Sequence, residues 1–105
     1  MHVQVVTYRL TDGVSDDEFV AANQEFAEMM AAVPGLLAKV WLKNEGESVY
    51  GGLYLWQDSE AFDNFMSGEL WGAAVTDDSI SDLVSRDFTV MDGLTRSTQP
   101  LLEMV

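Results

Sequence analysis

Lys39, Trp41 and Tyr54 are the residues of this 105-residue chain whose types and spacing most clearly offer chemistry. Lys39 and Trp41 are two apart, so in an extended segment they share one face. A Lys lodged among aromatic rings loses hydration, which disfavours its ammonium and frees the amine to act as a base or an oxyanion partner. Trp41 can stack a planar ligand, and the Tyr54 hydroxyl can orient an oxygen. Arg86 offers another cation for a substrate oxygen. Lys39, Tyr54 and Arg86 are therefore the candidate catalytic residues. Asn23, Phe26, Met30, Trp41, Phe65 and Trp71 are the candidate binding residues, with Trp71 placed where a lid over a pocket would sit. Each also has a plainer role: core packing for the aromatics, and for Lys39 and Arg86 an ion pair with one of 18 acids or, for Lys39, a head reaching to the rim. Asn23 either points into a pocket or bonds to a loop.

Other chemistries lack their residues. No Cys is present, which removes disulfides, thiol nucleophiles, Cys-ligated zinc and iron–sulfur clusters. His2, the sole His, is next to the chain start, where fraying makes a poor catalyst. Asp77, Asp78, Asp82 and Asp87 lack calcium-loop spacing and suit a solvated face. There is no nucleophile elbow, phosphate loop or dinucleotide fingerprint. No metal and no cofactor is expected. A net charge of -13 without a basic cluster disfavours nucleic acid and anionic membranes as partners. No apolar run approaches the roughly 20 residues of a membrane span, and no leader-like segment precedes the first strand, so a cytoplasmic protein is expected.

The elements that must position these residues follow from periodicity. One domain spanning residues 1–105 is expected, and 48% hydrophobic residues argue against disorder. Residues 2–10 are rich in β-branched side chains and end at Thr11-Asp12-Gly13, which reads as a strand and turn. Ser15 to Glu18 fits a capping box, and Phe19, Ala22, Phe26, Met29, Met30 and Val33 form one helical stripe ending at Pro34-Gly35. Residues 36–43 and 48–56 read as a hairpin. Asp58 caps a helix carrying Ala61, Phe62, Phe65 and Met66, and Trp56 anchors it. Residues 69–75 read as a short helix, 78–84 as a further turn or two, 87–94 as the last strand, and an irregular tail holds Pro100.

The order is β-α-β-β-α-β, an α+β ferredoxin-like arrangement with a four-stranded antiparallel sheet and its helices on one face. In the second strand Leu36, Ala38, Val40 and Leu42 form one face, opposite Leu37, Lys39, Trp41 and Lys43. In the third, Val49, Leu53 and Leu55 oppose Tyr50, Tyr54 and Trp56. Both faces carry apolar residues, whereas a sheet with one wet face should alternate. Two helices cover only one face. The expected cover for the other is a second copy, giving a homodimer through the sheet faces; the rival cover is the stretch from Thr76 to Arg86 with the C-terminal tail.

The run Pro34-Gly-Leu-Leu-Ala-Lys-Val-Trp-Leu-Lys, then Gly51-Gly-Leu-Tyr-Leu-Trp-Gln-Asp, resembles the YdhR-type putative monooxygenases of the dimeric α+β barrel superfamily. The resemblance covers about 35 residues in the middle of the chain. It implies paired sheets and a pocket between helices and sheet in each subunit. It also implies oxygenation of a small planar apolar or phenolic molecule without metal or flavin, the substrate carbanion itself reducing O2. The haem-degrading branch takes an axial His from the second-helix region, where this chain has none. The alternative is a non-enzymatic ligand-binding or dimerisation module of the same fold, favoured by the lack of a clear acid–base pair.

Overall fold

The computed structural model describes residues 1–98. Strand β1 (His2–Leu10) leads through a turn at Gly13 into helix α1 (Asp16–Ala31). Ser15 caps α1 by accepting from the Glu18 N–H at 3.1 Å, and its hydroxyl donates back to the Glu18 carboxylate at 3.2 Å. Strands β2 (Leu36–Asn44) and β3 (Val49–Trp56) form the hairpin, and Asp58 caps α2 (Ser59–Met66) through the Ala61 N–H at 2.8 Å. Helix α3 (Glu69–Val75), strand β4 (Ile80–Thr89) and a short helix α4 (Asp92–Arg96) complete the described chain. The four strands are antiparallel in the order β2-β3-β1-β4. This is the expected ferredoxin-like α+β fold.

One element differs from the sequence reading. Residues 80–89 form the last strand, and the helical turn falls after it, at 92–96. The cause is a β-bulge. Thr7 pairs with Val84 and Arg9 with Ser81, so the β4 stretch opposite Tyr8 holds an extra residue, and Asp82 takes a left-handed φ of 54°. The inward-facing residues become Ile80, Leu83 and Ser85, a spacing that imitates a helix before it alternates as a strand. A second irregularity alters the face of Leu36. Between Leu36↔Trp56 and Ala38↔Leu55 the register slips, so Leu36 joins the buried side with Trp56 while Leu37 bulges outward.

The core lies between the helices and one sheet face. Val6, Met30, Tyr54, Trp56, Ala61, Phe62 and Phe65 form it, and Trp56 is wholly enclosed. Gln4, also fully buried, accepts from Trp56 Nε1 at 3.2 Å and donates to Ser85 Oγ at 2.9 Å, so its amide is satisfied. His2 is buried too, tilted against the Phe62 ring at 5.0 Å, with its Nε2 2.7 Å from Asp87 Oδ2. Asp87 therefore anchors the N-terminal strand rather than joining a solvated acidic run.

The opposite sheet face is apolar and open. Its rows are Ala38, Leu55, Val3 and Phe88; then Val40, Leu53, Val5 and Arg86; then Leu42, Gly51, Thr7 and Val84. Phe88 is 52% exposed and Val84 47%. Residues 80–86 cannot cover this face because they are part of the sheet. The tail holding Pro100 lies outside the described residues. Among the described residues no helix is long and apolar enough to cross a membrane.

Gly51 marks the closest backbone approach in the sheet, since a Cβ there would overlap the Val6 carbonyl oxygen. Gly51→Ala should destabilise the protein by about 2 kcal/mol, the usual order for overpacking. Urea unfolding followed by Trp fluorescence measures it, and an unchanged midpoint would refute that account.

Candidate functional site

One cross-strand row carries Lys39, Tyr54, Gln4 and Asp87 on the helix face, and the next carries Trp41, Gly52, Val6 and Ser85. Gly52 matters here for want of a side chain. A Cβ on it would stand 3.2 Å from both Lys39 Cε and a Tyr54 ring carbon, so its absence is what lets Lys39 lie flat over the sheet. The Lys39 Nζ sits 3.6 Å from the Trp41 ring centroid, 4.5 Å from that of Tyr54 and 5.1 Å from that of Phe26. Among the described residues no carboxylate lies within ion-pair distance of it.

Above this cluster is a cavity of about 140 Å³ between α1, α3 and the sheet. Asn23, Phe26, Lys39, Trp41, Tyr54 and Trp71 all line it, so six of the nine residues singled out from sequence meet there. An engineered cavity of ~150 Å³ holds one benzene, so this one suits a single ring. The plainer role and the site role coincide for Tyr54, which is both core and cavity wall. Asn23 turns its amide back along α1, donating to the Phe19 carbonyl at 2.9 Å. Trp71, half-buried on α3, leans on Phe65 at 5.8 Å and forms the far wall.

Three candidates fall elsewhere. Met30 is almost wholly buried in the core, and Phe65 packs behind Tyr54 and Trp56, neither lining this cavity. Arg86 pairs with Val5 across the sheet and is exposed on the open face, away from Lys39. With β4 beginning at Ile80, alternation sends Ser85 and Asp87 inward and Arg86 outward. Arg86 is thus not part of the helix-face site. Sequence reasoning missed Tyr8, Asp77, Ile80 and Leu83. Tyr8 shares parity with Gln4 and Val6 and was legible in principle; Ile80 and Leu83 arrive only through the bulged pairing of β4, and Asp77 through the turn that leads into it.

A larger groove of about 440 Å³ lies outside, between α1 and the edge strand β2. Phe19, Asn23 and Trp41 line both spaces, so the edge-on Phe19–Trp41 contact at 6.3 Å is the partition between them. At the groove's end Tyr50 donates to Asp16 at 2.9 Å, and Lys43 pairs with Asp16 and Glu45.

The electrostatics single out Lys39. Aromatic faces attract its ammonium, but burial opposes the charge and draws its pKa down to about 7. Burial, helped by the Asp77 carboxylate, pushes Tyr8 up to about 12. Burial and then Tyr8 also raise Tyr54, so both phenols stay protonated at neutral pH. The site combines an amine that loses its proton near pH 7, hydroxyl donors and an apolar enclosure.

The four-stranded antiparallel sheet and its packed helices define a ferredoxin-like α+β protein. It belongs to the family described as putative mono-oxygenase ydhR, whose model matches residues 6–100. The fold is similar to SnoaB, a cofactor-independent oxygenase from Streptomyces nogalater, at 18% identity and TM-score 0.69, covering 86% of this chain and 92% of that one. It is also similar to the heme-degrader MhuD from Mycobacterium tuberculosis with two hemes in its active site, at 20% identity and TM-score 0.68, covering 87% and 96%. A third likeness is to an antibiotic biosynthesis monooxygenase from Deinococcus radiodurans, described as putative, at 12% identity and TM-score 0.70, covering 86% and 92%. No curated protein matches the chain. The residues here do not fit an axially ligated haem: His2, the sole His, is held by Asp87 under α2 and does not line the cavity.

The Lys39 shift has a thermodynamic consequence with a definite sign. Its pKa is about 7 folded against 10.5 for the free side chain, so between those values the unfolded chain holds a proton that the folded chain lacks. Stability should therefore rise from pH 7 towards 10. Above 10 it should fall, because unfolded tyrosines ionise while Tyr8 and Tyr54 resist. Lys39→Met should flatten the rise. Urea titrations across this range check it, and equal slopes for both proteins would exclude the buried-amine account.

Proposed function

We propose that this chain is a monooxygenase acting without a bound cofactor on a small planar phenolic or apolar molecule held in the helix–sheet cavity. The observation that carries the reading is Lys39, an amine with no acid partner among the described residues, enclosed by Phe26, Trp41 and Tyr54. SnoaB, by its description a cofactor-independent oxygenase, supports the same reaction class by analogy of fold.

The cavity takes one activated ring, with the remainder of a larger ligand in the outer groove. Neutral Lys39 accepts a proton from an acidic ring methylene, and the aromatic walls spread and shield the resulting carbanion. Hydrogen bonding from a protonated tyrosine stabilises the developing oxyanion. The carbanion passes one electron to O2, and the radical pair recombines to a peroxide anion. That anion regains the proton from the Lys39 ammonium. Loss of water then leaves a ketone: a methylene and O2 become a carbonyl and H2O, with no external reductant.

Oxygen-electrode assays with anthrone test this reading. One O2 should be consumed per ketone formed, with a rate that rises as pH passes through about 7. Lys39→Met should lose about 100-fold or more in kcat, the usual contribution of a general base. Tyr54→Phe should lose roughly tenfold with little change in KM. Absence of uptake by pure protein across a panel of anthrones and hydroquinones would sink the oxygenase; saturable binding of the same compounds would then favour a ligand-binding module.

The working unit is a homodimer in which two open sheet faces pack together with the acids outside. The apolar rows centred on Leu53, Leu55, Val3 and Val5, with Val40, Leu42, Val84 and Phe88 exposed around them, support this, since exposed apolar surface of this kind marks an interface. Light scattering at micromolar concentration should give twice the chain mass, and Leu53→Glu should shift it to one. A wild-type monomer would refute the dimer.

A further inference from the structure

Imine formation by a lysine needs an uncharged amine, a desolvated pocket that holds the carbonyl beside it, and a donor for the departing oxygen. Three observations meet at Lys39. Its Nζ is ringed by Phe26, Trp41 and Tyr54 at centroid distances of 3.6 to 5.1 Å, with no carboxylate partner among the described residues. The adjoining cavity of about 140 Å³ matches one aromatic ring. Its walls include the hydroxyl-bearing Tyr8 and Tyr54.

We infer that Lys39 is a carbonyl-condensing amine, forming an imine with single-ring aromatic aldehydes held in the adjoining cavity. This goes beyond oxygenation and shares Lys39 and the cavity with it. The lone pair of Nζ attacks the aldehyde carbon, making a C–N bond while the carbonyl π electrons move to oxygen. One nitrogen proton passes to that oxygen to give a carbinolamine; a tyrosine hydroxyl lends a second as water leaves and the C=N bond forms, and recovers it from the iminium nitrogen. Aldehyde and amine become imine and water, with no change of oxidation state. The aldehyde is neutral: with a net charge of -13 and the Asp77 carboxylate in the cavity wall, a carboxylated ring is disfavoured.

The chain contains its own control, because Lys39 and Lys43 are its only two lysines. Lys43 is exposed, and its pKa is raised first by hydrogen bonding to Glu45 and then by the charge of Asp16, so its amine stays charged. Incubation with benzaldehyde and sodium cyanoborohydride at about pH 7.5 traps any imine as a benzyl amine, which peptide mass mapping assigns. With one pKa unit corresponding to a tenfold change in the neutral fraction, Lys39 should be labelled at least about tenfold faster than Lys43. In urea the two rates should converge, because the selectivity belongs to the fold. Lys39→Arg, which cannot condense, should abolish the fast labelling, and Lys43→Arg should leave it intact. Equal labelling of both lysines in the folded protein, or fast labelling that survives Lys39→Arg, overturns the inference. Selective labelling without any oxygen uptake upholds the imine chemistry while refuting the oxygenase, so the two failures are distinguishable.

Discussion

Four polar side chains in a single cross-strand row beneath the helices, Lys39, Tyr54, Gln4 and Asp87, are the constraint around which the structure is arranged. A polar group under an apolar layer must find partners or lose its charge. The row solves this differently along its length. Asp87 takes the His2 imidazole, and Gln4 is clasped by Trp56 and Ser85. Among the described residues Lys39 receives no acceptor, only ring faces, and burial lowers its pKa to about 7 instead. The satisfied end of the row supports the fold and the unsatisfied end makes the site.

That division explains the two spaces beside α1. The inner cavity exists because Gly52 leaves room for Lys39 to lie flat and because Trp71 on α3 stands off from the sheet. The outer groove exists because α1 overhangs the free edge of β2. Phe19 and Trp41 separate them with an edge-on aromatic contact, which Tyr8 and Tyr50 hold in place by packing on Phe19. The charges follow the same geometry: Asp16, Glu45 and Lys43 gather at the groove's outer end, and the one buried amine stands alone inside.

Much of the fold was legible because strand and helix periods differ and capping residues are short-range. Ser15 with Glu18, Asp58, and the Pro34-Gly35 stop act within a few residues of themselves, so their reading carries over directly. Two bulges broke the inference where it leaned on alternation. The slip at Leu37 moved Leu36 to the buried side, and the left-handed Asp82 disguised the start of β4 as a helix. With β4 begun late, Arg86 was drawn into a site it faces away from, and Ile80, Leu83 and Asp77 were left out of one they line.

The sequence by itself determined the element order, the helix ends, the apolar character of both sheet faces and the placing of Lys39 with Trp41 on one side of a strand. These depend on residue type and on spacing within a single segment. Only the tertiary structure decided which face the helices cover, where the bulges fall, and that the rings of Phe26, Trp41 and Tyr54 close on the same nitrogen. Those depend on pairing between segments distant in the chain, and a one-residue change of register turns every side chain to the opposite face.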